Sequence, residues 1–333
     1  MMSISTRKFT REIQRAPWFR LEDCIEMCFP LLLISSLLLI PGNASARAGL
    51  SEKQARKLIS RMAGAELPSG AVRIKRITET NGAAEATVEI ETAFRLVQDE
   101  QRHWQVAEVR TGQDRWEEIF IIEAALKRQQ LEDECTTPDL AKAGDGIVSV
   151  KRARCLLAHL LGIQLPSDAV RIRGVSSLGL PFASNSSALV TALIQVDVRF
   201  RQDRGDWSVS ELRTGGGDWV SIETTVAAIN EEKKKRAQKD LATLARALDA
   251  FRRDTGFYVV SDNHPALIDY LSPRYVAQII RLDPWHNPYR YQGNRDRFQL
   301  RSDGPDGLEN TPDDLIVPDC DGCTSGQLFT EPN

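Results

Sequence analysis

The sequence predicts an α+β protein: two duplicated small modules, each built as helix, three strands, helix, followed by a long helix and a further domain with a small antiparallel sheet. The duplication is read directly from the chain. Ala55-Arg56, Leu58-Ile59, Gly64, Leu67-Pro68-Ser69 and Ala71 to Ile74 recur as Ala153-Arg154, Leu156-Leu157, Gly162, Leu165-Pro166-Ser167 and Ala169 to Ile172. Gln98-Asp99 recurs as Gln202-Asp203, and the stretch Trp104 to Gly112 recurs as Trp207 to Gly215, each followed by a second tryptophan, Trp116 or Trp219. The divisions that follow are a leader at 1–48, repeat 1 at 49–130, a linker at 131–145 rich in Asp, Glu, Thr, Pro and Gly, repeat 2 at 146–230, the long helix and last domain at 231–319, and a tail at 320–333.

Within each copy the periods change in order. Ala55, Leu58, Ile59 and Met62 recur at helical spacing and stop at Gly64, which predicts the first helix. Val88, Ile90, Thr92, Phe94 and Leu96 alternate, as do Val190, Ala192, Ile194, Val196, Val198 and Phe200, so each set lines one face of a strand. The third strand, carrying Trp104 and Val106 or Trp207 and Val209, is expected to close a small sheet in each copy, with the tryptophan packed between sheet and helix. The longer Gly174 to Ser187 stretch of copy two is a loop of the kind in which copies differ in length. From about Ser221 to Asp254 the chain is almost unbroken helix former, with Glu231-Glu232 ahead of Lys235-Arg236 and the run Lys233 to Arg236 read as a solvated face.

At 333 residues, with 42% hydrophobic and 27% charged residues, the chain is long enough for two or three domains of the usual ~100 to 150 residues. A net charge of -3 gives no electrostatic reason to expect nucleic acid as a partner. Phe29 to Ile40 is an apolar core of signal-peptide length, shorter than the roughly 20 residues a membrane span needs. Small residues at Ala44, Ala46 and Ala48 offer cleavage after 46 or 48; two readings stay open, a cleaved signal or a retained weak anchor, and Met27 is an alternative start. Either implies export to the periplasm or cell envelope, with membrane contact only through a retained segment. Cys135, Cys155, Cys320 and Cys323 would then sit where disulfides are permitted. Cys320 and Cys323 flank an Asp-Gly turn in the tail, which favours a local disulfide or a free or intermolecular pair over redox catalysis.

Arg73 and Arg110 recur as Arg171 and Arg213; they either line an anion or peptide groove or pair with nearby glutamates on an exposed strand face. His103 and His159 are the histidines of the two copies, and neither recurs at its equivalent. No nucleophile and base are paired, so catalysis is not expected. A duplicated module without a repeated polar constellation suits binding or spacing.

The last domain begins with the stripe Leu241, Leu244, Ala245, Leu248 and Phe251, ended by Asp254-Thr255-Gly256-Phe257-Tyr258. A short helix around Ala266 to Leu271 follows, then Asp283-Pro284-Trp285-His286-Asn287-Pro288-Tyr289-Arg290-Tyr291, the strand Phe298 to Leu300, an acidic loop from Ser302 to Asp314 and a closing Leu315 to Val317. From about Ala237 to Val317 this order resembles the globular domain of the type II secretion major pseudopilin, protein G, with His286 at a usual glycine.

The acidic loop has chemistry of its own. Asp303, Asp306, Glu309, Asp313 and Asp314 crowd carboxylates whose repulsion a hard cation relieves best, while Gly304 and Gly307 allow a tight path. The spacing is not that of an EF-hand. The resemblance implies calcium held by Asp306, Asp313 and Asp314 with backbone carbonyls at Leu300 and Ser302, and Asp303 ranks behind them. Pro284, Trp285 and Pro288 are expected to buttress that loop, and His286 to be incidental.

The resemblance implies a calcium-stabilised, non-enzymatic component of type II secretion whose partners are other pseudopilins or secretion-apparatus proteins. Because the repeats stand where a filament-forming helix would begin, an accessory role is expected. The alternative is an exported envelope protein whose duplicated modules bind a peptide or polysaccharide, with the last domain reused as a scaffold.

Overall fold

Serine caps start the first helix of each copy. The N–H of Gln54 donates to Ser51 Oγ at 3.3 Å and that of Arg152 to Ser149 Oγ at 3.2 Å, opening α1 (Glu52–Ser60) and α3 (Val150–Leu160). Such caps contribute about 1 kcal/mol each. Both helices turn small and branched residues inward: Ala55 and Ile59 from α1, Ala153, Leu157 and Ala158 from α3. The computed structural model describes residues 49–68, 70–126, 135, 147–178 and 186–317. The leader, most of the 131–145 linker and the Cys320 and Cys323 pair lie outside the described residues.

In copy one the strands are β1 (Val72–Thr80), β2 (Ala83–Gln98), β3 (Trp104–Arg110) and a short β4 (Trp116–Glu118), followed by α2 (Ile119–Leu126). Copy two repeats the order with β5 (Val170–Leu178), β6 (Ser187–Asp203), β7 (Asp206–Thr214) and β8 (Val220–Ser221) before α4 (Ile222–Thr255). The predicted three strands are present, and the second tryptophan of each copy opens or precedes a fourth, short one. Alternate residues of β2 from Ala84 to Leu96 are buried, as are those of β6 from Ala188 to Phe200. Trp104 and Trp207 are both in the core under the sheet.

The copies do not close separate sheets, as the sequence suggested. Their long strands pair with each other, giving one eight-stranded antiparallel sheet in the order β4-β3-β2-β6-β7-β8, with β1 on β2 and β5 on β6. β2 pairs with β6 from Ala83↔Arg201 to Val97↔Ser187, and at the centre Ile90 faces its own equivalent, Ile194. Val72 pairs with Ile90 just as Val170 pairs with Ile194, and the register shift after Ile74 recurs after Ile172. A second shift, at Arg95 against β3, recurs at Arg199 against β7. The arrangement is thus an internal pseudo-two-fold. Its cause is simple: a long strand left as an edge exposes a row of unpaired N–H and C=O groups, and an equivalent strand run antiparallel satisfies them with the apolar faces in phase.

α4 continues unbroken for 34 residues and ends on Gly256, whose φ of +84° is a left-handed cap. Leu241, Leu244, Ala245, Leu248 and Phe251 form its buried stripe. Against it pack α5 (His264–Leu271), begun by an Asn263 cap, and the sheet β9 (Arg290–Gly293), β10 (Phe298–Ser302) and β11 (Leu315–Val317), with β10 central. Tyr289 and Tyr291 are fully enclosed, and Tyr291 Oη donates to the Val259 carbonyl at 2.7 Å. Lys233, read from the sequence as part of a solvated face, is buried. Four consecutive residues at ~100° per residue sweep the whole helix circumference, so one of the run must face inward. Among the described residues no helix is long and apolar enough to cross a membrane.

Cys135 is bonded to Cys155 of α3, a pairing the sequence did not assign. With the two cysteines separated by 20 positions, loop-closure entropy gives about 3 kcal/mol of stabilisation. Replacing both by serine is expected to lower the unfolding free energy by about that amount in a urea titration, and an unchanged midpoint would remove the bond from the account.

Candidate functional site

The acidic loop between β10 and β11 divides its carboxylates into two groups. Asp303 is buried and faces two guanidinium groups, Arg290 Nε at 2.6 Å and Arg301 Nε at 3.3 Å. Glu309 is paired with Arg301 and lies 3.8 Å from Arg290. The Arg301 hydrogen bond and charge hold the Glu309 carboxyl below its ordinary range. These two carboxylates are therefore neutralised by the protein itself.

Asp306, Asp313 and Asp314 are not. Their Oδ1 atoms lie 3.4, 2.7 and 3.2 Å from the single hydroxyl of Thr311. A hydroxyl has one proton, so it donates to one of them and turns lone pairs toward the others. Backbone N–H groups supply the rest: Asp306 N to Asp313 Oδ2 at 3.2 Å, Leu308 N to Asp306 Oδ1 at 2.7 Å and Asn310 N to Asp314 Oδ2 at 2.9 Å. Burial pushes Asp313 up, but the Thr311 and backbone hydrogen bonds outweigh it and leave the group below its usual value. Among the described residues no basic side chain forms an ion pair with these three. Gly304, at φ +64°, permits the close approach: a Cβ there would meet the Asp313 carbonyl oxygen at 2.5 Å.

The donor set is all oxygen and carries an uncompensated negative charge, which fits a hard divalent cation. It is not a finished cage, since no group of three His, Cys, Asp or Glu side chains among the described residues is assembled at metal-binding distance. The two backbone positions differ. Ser302 stands opposite Leu315, next to Asp314, at the mouth of the loop, while its side chain donates to Asp283 Oδ2 at 2.5 Å. Leu300 lies deeper, opposed by Tyr291 on one side and Val317 on the other, so its carbonyl points at a strand neighbour whichever side it faces.

Behind the loop the support comes from Asp283 and Asn287. Asp283 Oδ1 accepts from the N–H of Trp285 (3.0 Å) and of Asn287 (2.9 Å), and Asn287 Nδ2 donates to the Gly304 carbonyl at 3.2 Å. Burial raises the Asp283 carboxyl above its ordinary value against the pull of these hydrogen bonds. Trp285 faces the other way from the expected buttress. Its Nε1 donates to Asn230 of α4 at 3.0 Å, and its carbonyl accepts from Arg115 of the first copy at 3.5 Å. Nor is His286 incidental: it holds φ +71°, and its Nε2 lies 3.1 Å from Glu117 Oε1. Glu117 also takes Lys233 at 2.7 Å. The exception at a usual glycine was the only sequence signal for this contact; nothing in the periodicity marks Glu117, Lys233 or Asn230.

In the duplicated sheet three of the four repeated arginines meet carboxylates. Arg73 pairs with Glu91 at 3.8 Å, Arg171 with Glu89, and Arg213 with Asp197 at 2.8 Å. Arg110 offers its carbonyl to the Thr92 hydroxyl at 2.6 Å. The second tryptophans are capped by equivalent arginines, Arg95 over Trp116 at 4.8 Å and Arg199 over Trp219 at 3.8 Å.

Residues 224–317 match the family model for the type II secretion system (T2SS), protein G. The chain carries a protein G domain. The match runs from the first turn of α4 to the end of β11 and leaves the duplicated sheet outside it. No curated protein and no solved structure matches the chain.

One buried group of this protein G domain titrates far from its usual value. His264 is enclosed beside Tyr289, its Nε2 has no hydrogen-bond partner, and burial, aided by the Arg281 charge, pushes its pKa down to about 4. The unfolded ring takes its proton near 6.5, so the stability from the neutral buried ring is full above that pH and is lost as pH falls from 6.5 to about 4. The linkage amounts to about 3 kcal/mol. His264→Gln is expected to flatten the fall in urea-derived stability between pH 6.5 and 4 by about that much, and equal slopes in both proteins would show that the ring charges freely in the fold.

Proposed function

We propose that this protein is a structural, non-enzymatic component of type II secretion, exported to the cell envelope, whose protein G domain is stabilised by calcium in the loop from Ser302 to Asp314. The observation that carries the reading is the convergence of Asp306, Asp313 and Asp314 on Thr311 without a basic partner, while Asp303 and Glu309 are neutralised by Arg290 and Arg301. Calcium would be held by those three carboxylates, with the Ser302 carbonyl nearest to hand and Leu300 deeper in the sheet. When bound, the ion supplies the positive charge the loop lacks. This chain's own residues do the rest: Asp283 and Asn287 fix the base of the loop, and the two arginines keep Asp303 and Glu309 out of the competition for the ion.

The family match supports other secretion-apparatus proteins as partners. The duplicated sheet, placed ahead of α4, supports an accessory position rather than that of an ordinary filament subunit. Nucleic acid is not proposed as a partner. The peptide-binding alternative draws less support, because Arg73, Arg171 and Arg213 are paired with carboxylates and the second tryptophans are capped by Arg95 and Arg199.

Thermal unfolding of residues 47–333 in calcium, in magnesium and in chelator tests the reading. A ligand that binds only the folded state stabilises it, by about 2.7 kcal/mol at a hundredfold excess over Kd. Calcium is expected to raise the midpoint, and Asp306→Ala with Asp313→Ala to abolish the rise. A midpoint indifferent to calcium would leave the loop as a solvated acidic turn.

A further inference from the structure

The first copy of the duplicated sheet touches the protein G domain through charged groups that are largely out of water. Lys233 Nζ is 2.7 Å from Glu117 Oε2, with side-chain exposures of 8% and 16%. The other oxygen of Glu117 receives His286 at 3.1 Å, so one carboxylate from β4 holds one residue of α4 and one of the turn before β9. Arg115 donates to the Trp285 carbonyl at 3.5 Å, Glu118 lies 4.0 Å from Arg236, and the Arg236 guanidinium lies over the Phe120 ring at 5.7 Å. α2 runs along the first half of α4 in the same region.

Two features show that this junction is specified. Truncating one partner of a buried ion pair leaves a bare charge, at a penalty far above the net worth of the pair. Separating the sheet from α4 keeps both groups but exposes apolar surface to hydrate them. The second feature is the backbone at His286. A left-handed φ of +71° disfavours a residue with a Cβ, by roughly 1 to 2 kcal/mol. A glycine would satisfy the turn without strain, and only the imidazole reaches Glu117.

We propose that Glu117, Lys233 and His286 form a clasp that docks the duplicated sheet onto the protein G domain, so that the two unfold as one body and the first half of α4 with the Trp285 turn is withheld from other subunits. The surface left for partners is then the opposite side of α4, with α5 and the acidic loop. This inference does not depend on calcium.

The test is calorimetry of the full chain and of its His286→Gly and Glu117→Gln variants, with hydrogen exchange followed separately in α2 and in β9 to β11. The unmodified protein is expected to unfold in a single transition. His286→Gly removes backbone strain, so a purely local role predicts an equal or higher midpoint. The clasp predicts the reverse: the transition splits in two, and exchange in α2 rises at least tenfold while β9 to β11 exchange at their former rate. Glu117 keeps its pair with Lys233 when the imidazole is removed, so adding Glu117→Gln to His286→Gly should raise α2 exchange further. Two separate transitions in the unmodified protein would overturn the proposal, as would a single undisturbed transition in His286→Gly. Should Glu117→Gln fail to fold, His286→Gly decides alone.

Discussion

One helix has to serve two cores. α4 begins against α2 beneath the duplicated sheet and ends as the central element of the protein G domain, so its buried residues change character along its length. Its second half is a plain apolar stripe from Leu241 to Phe251. Near the junction the inward positions are Lys233, Ala237 and Asp240, two of them ionisable. Asp240 is raised above its ordinary value by burial and is met by Arg236 at 3.2 Å and by the Tyr289 hydroxyl at 3.3 Å. A continuous apolar stripe here would let the sheet slide along the helix. Lys233, which needs Glu117 of β4 as its partner, fixes where it stops.

The duplicated sheet supplies the matching rigid face. Pairing β2 with β6 around the Ile90 and Ile194 centre satisfies two long edges at once and puts both sets of alternating apolar residues on the side that α1 and α3 cover. The outer face is polar and is knitted by ion pairs such as Arg199 with Glu85 and Glu211. Exposed pairs of this kind contribute little stability individually, near 0 to 1 kcal/mol. Their effect, with the pairs of Arg73, Arg171 and Arg213, is that most arginines repeated between the copies already have partners. At β4 of the first copy the charged residues reach outward to another element, and there the Glu117 and Lys233 pair is shielded from solvent.

Most of the elements were legible because they rest on local periodicity. The strand faces of β2 and β6, the stripe and extent of α4, the short α5 and the stop at Gly256 all follow from spacing and from one glycine. The fused sheet was not legible: alternation tells which side of a strand is buried, but not which strand lies beside it. The acidic loop was visible as a cluster of carboxylates, yet its division was not, since Arg290 reaches Asp303 only once β9 and β10 are paired and Arg301 reaches Glu309 only once the loop folds back on β10. Thr311 carried no signal at all, and its role comes from three oxygens meeting at one hydroxyl. His264 was equally silent, because burial without a partner is a property of packing.

The turn from Asp283 to Tyr289 gathers these separate facts. Three consecutive residues reach three different places: Trp285 to Asn230 on α4, His286 to Glu117 in the first copy, and Asn287 to the Gly304 carbonyl at the base of the acidic loop. Asp283 holds the turn by accepting from two of their backbone N–H groups, and Ser302 ties the same carboxylate to the strand that leads into the loop. Adjacent peptide planes have few independent degrees of freedom, so the loop, the long helix and the duplicated sheet share one short piece of backbone. The histidine that departs from the usual glycine therefore sits where a single side chain can join the added modules to a turn already tied to α4 and to the acidic loop. A contact made anywhere on the loops facing solvent would have tethered the sheet without orienting it.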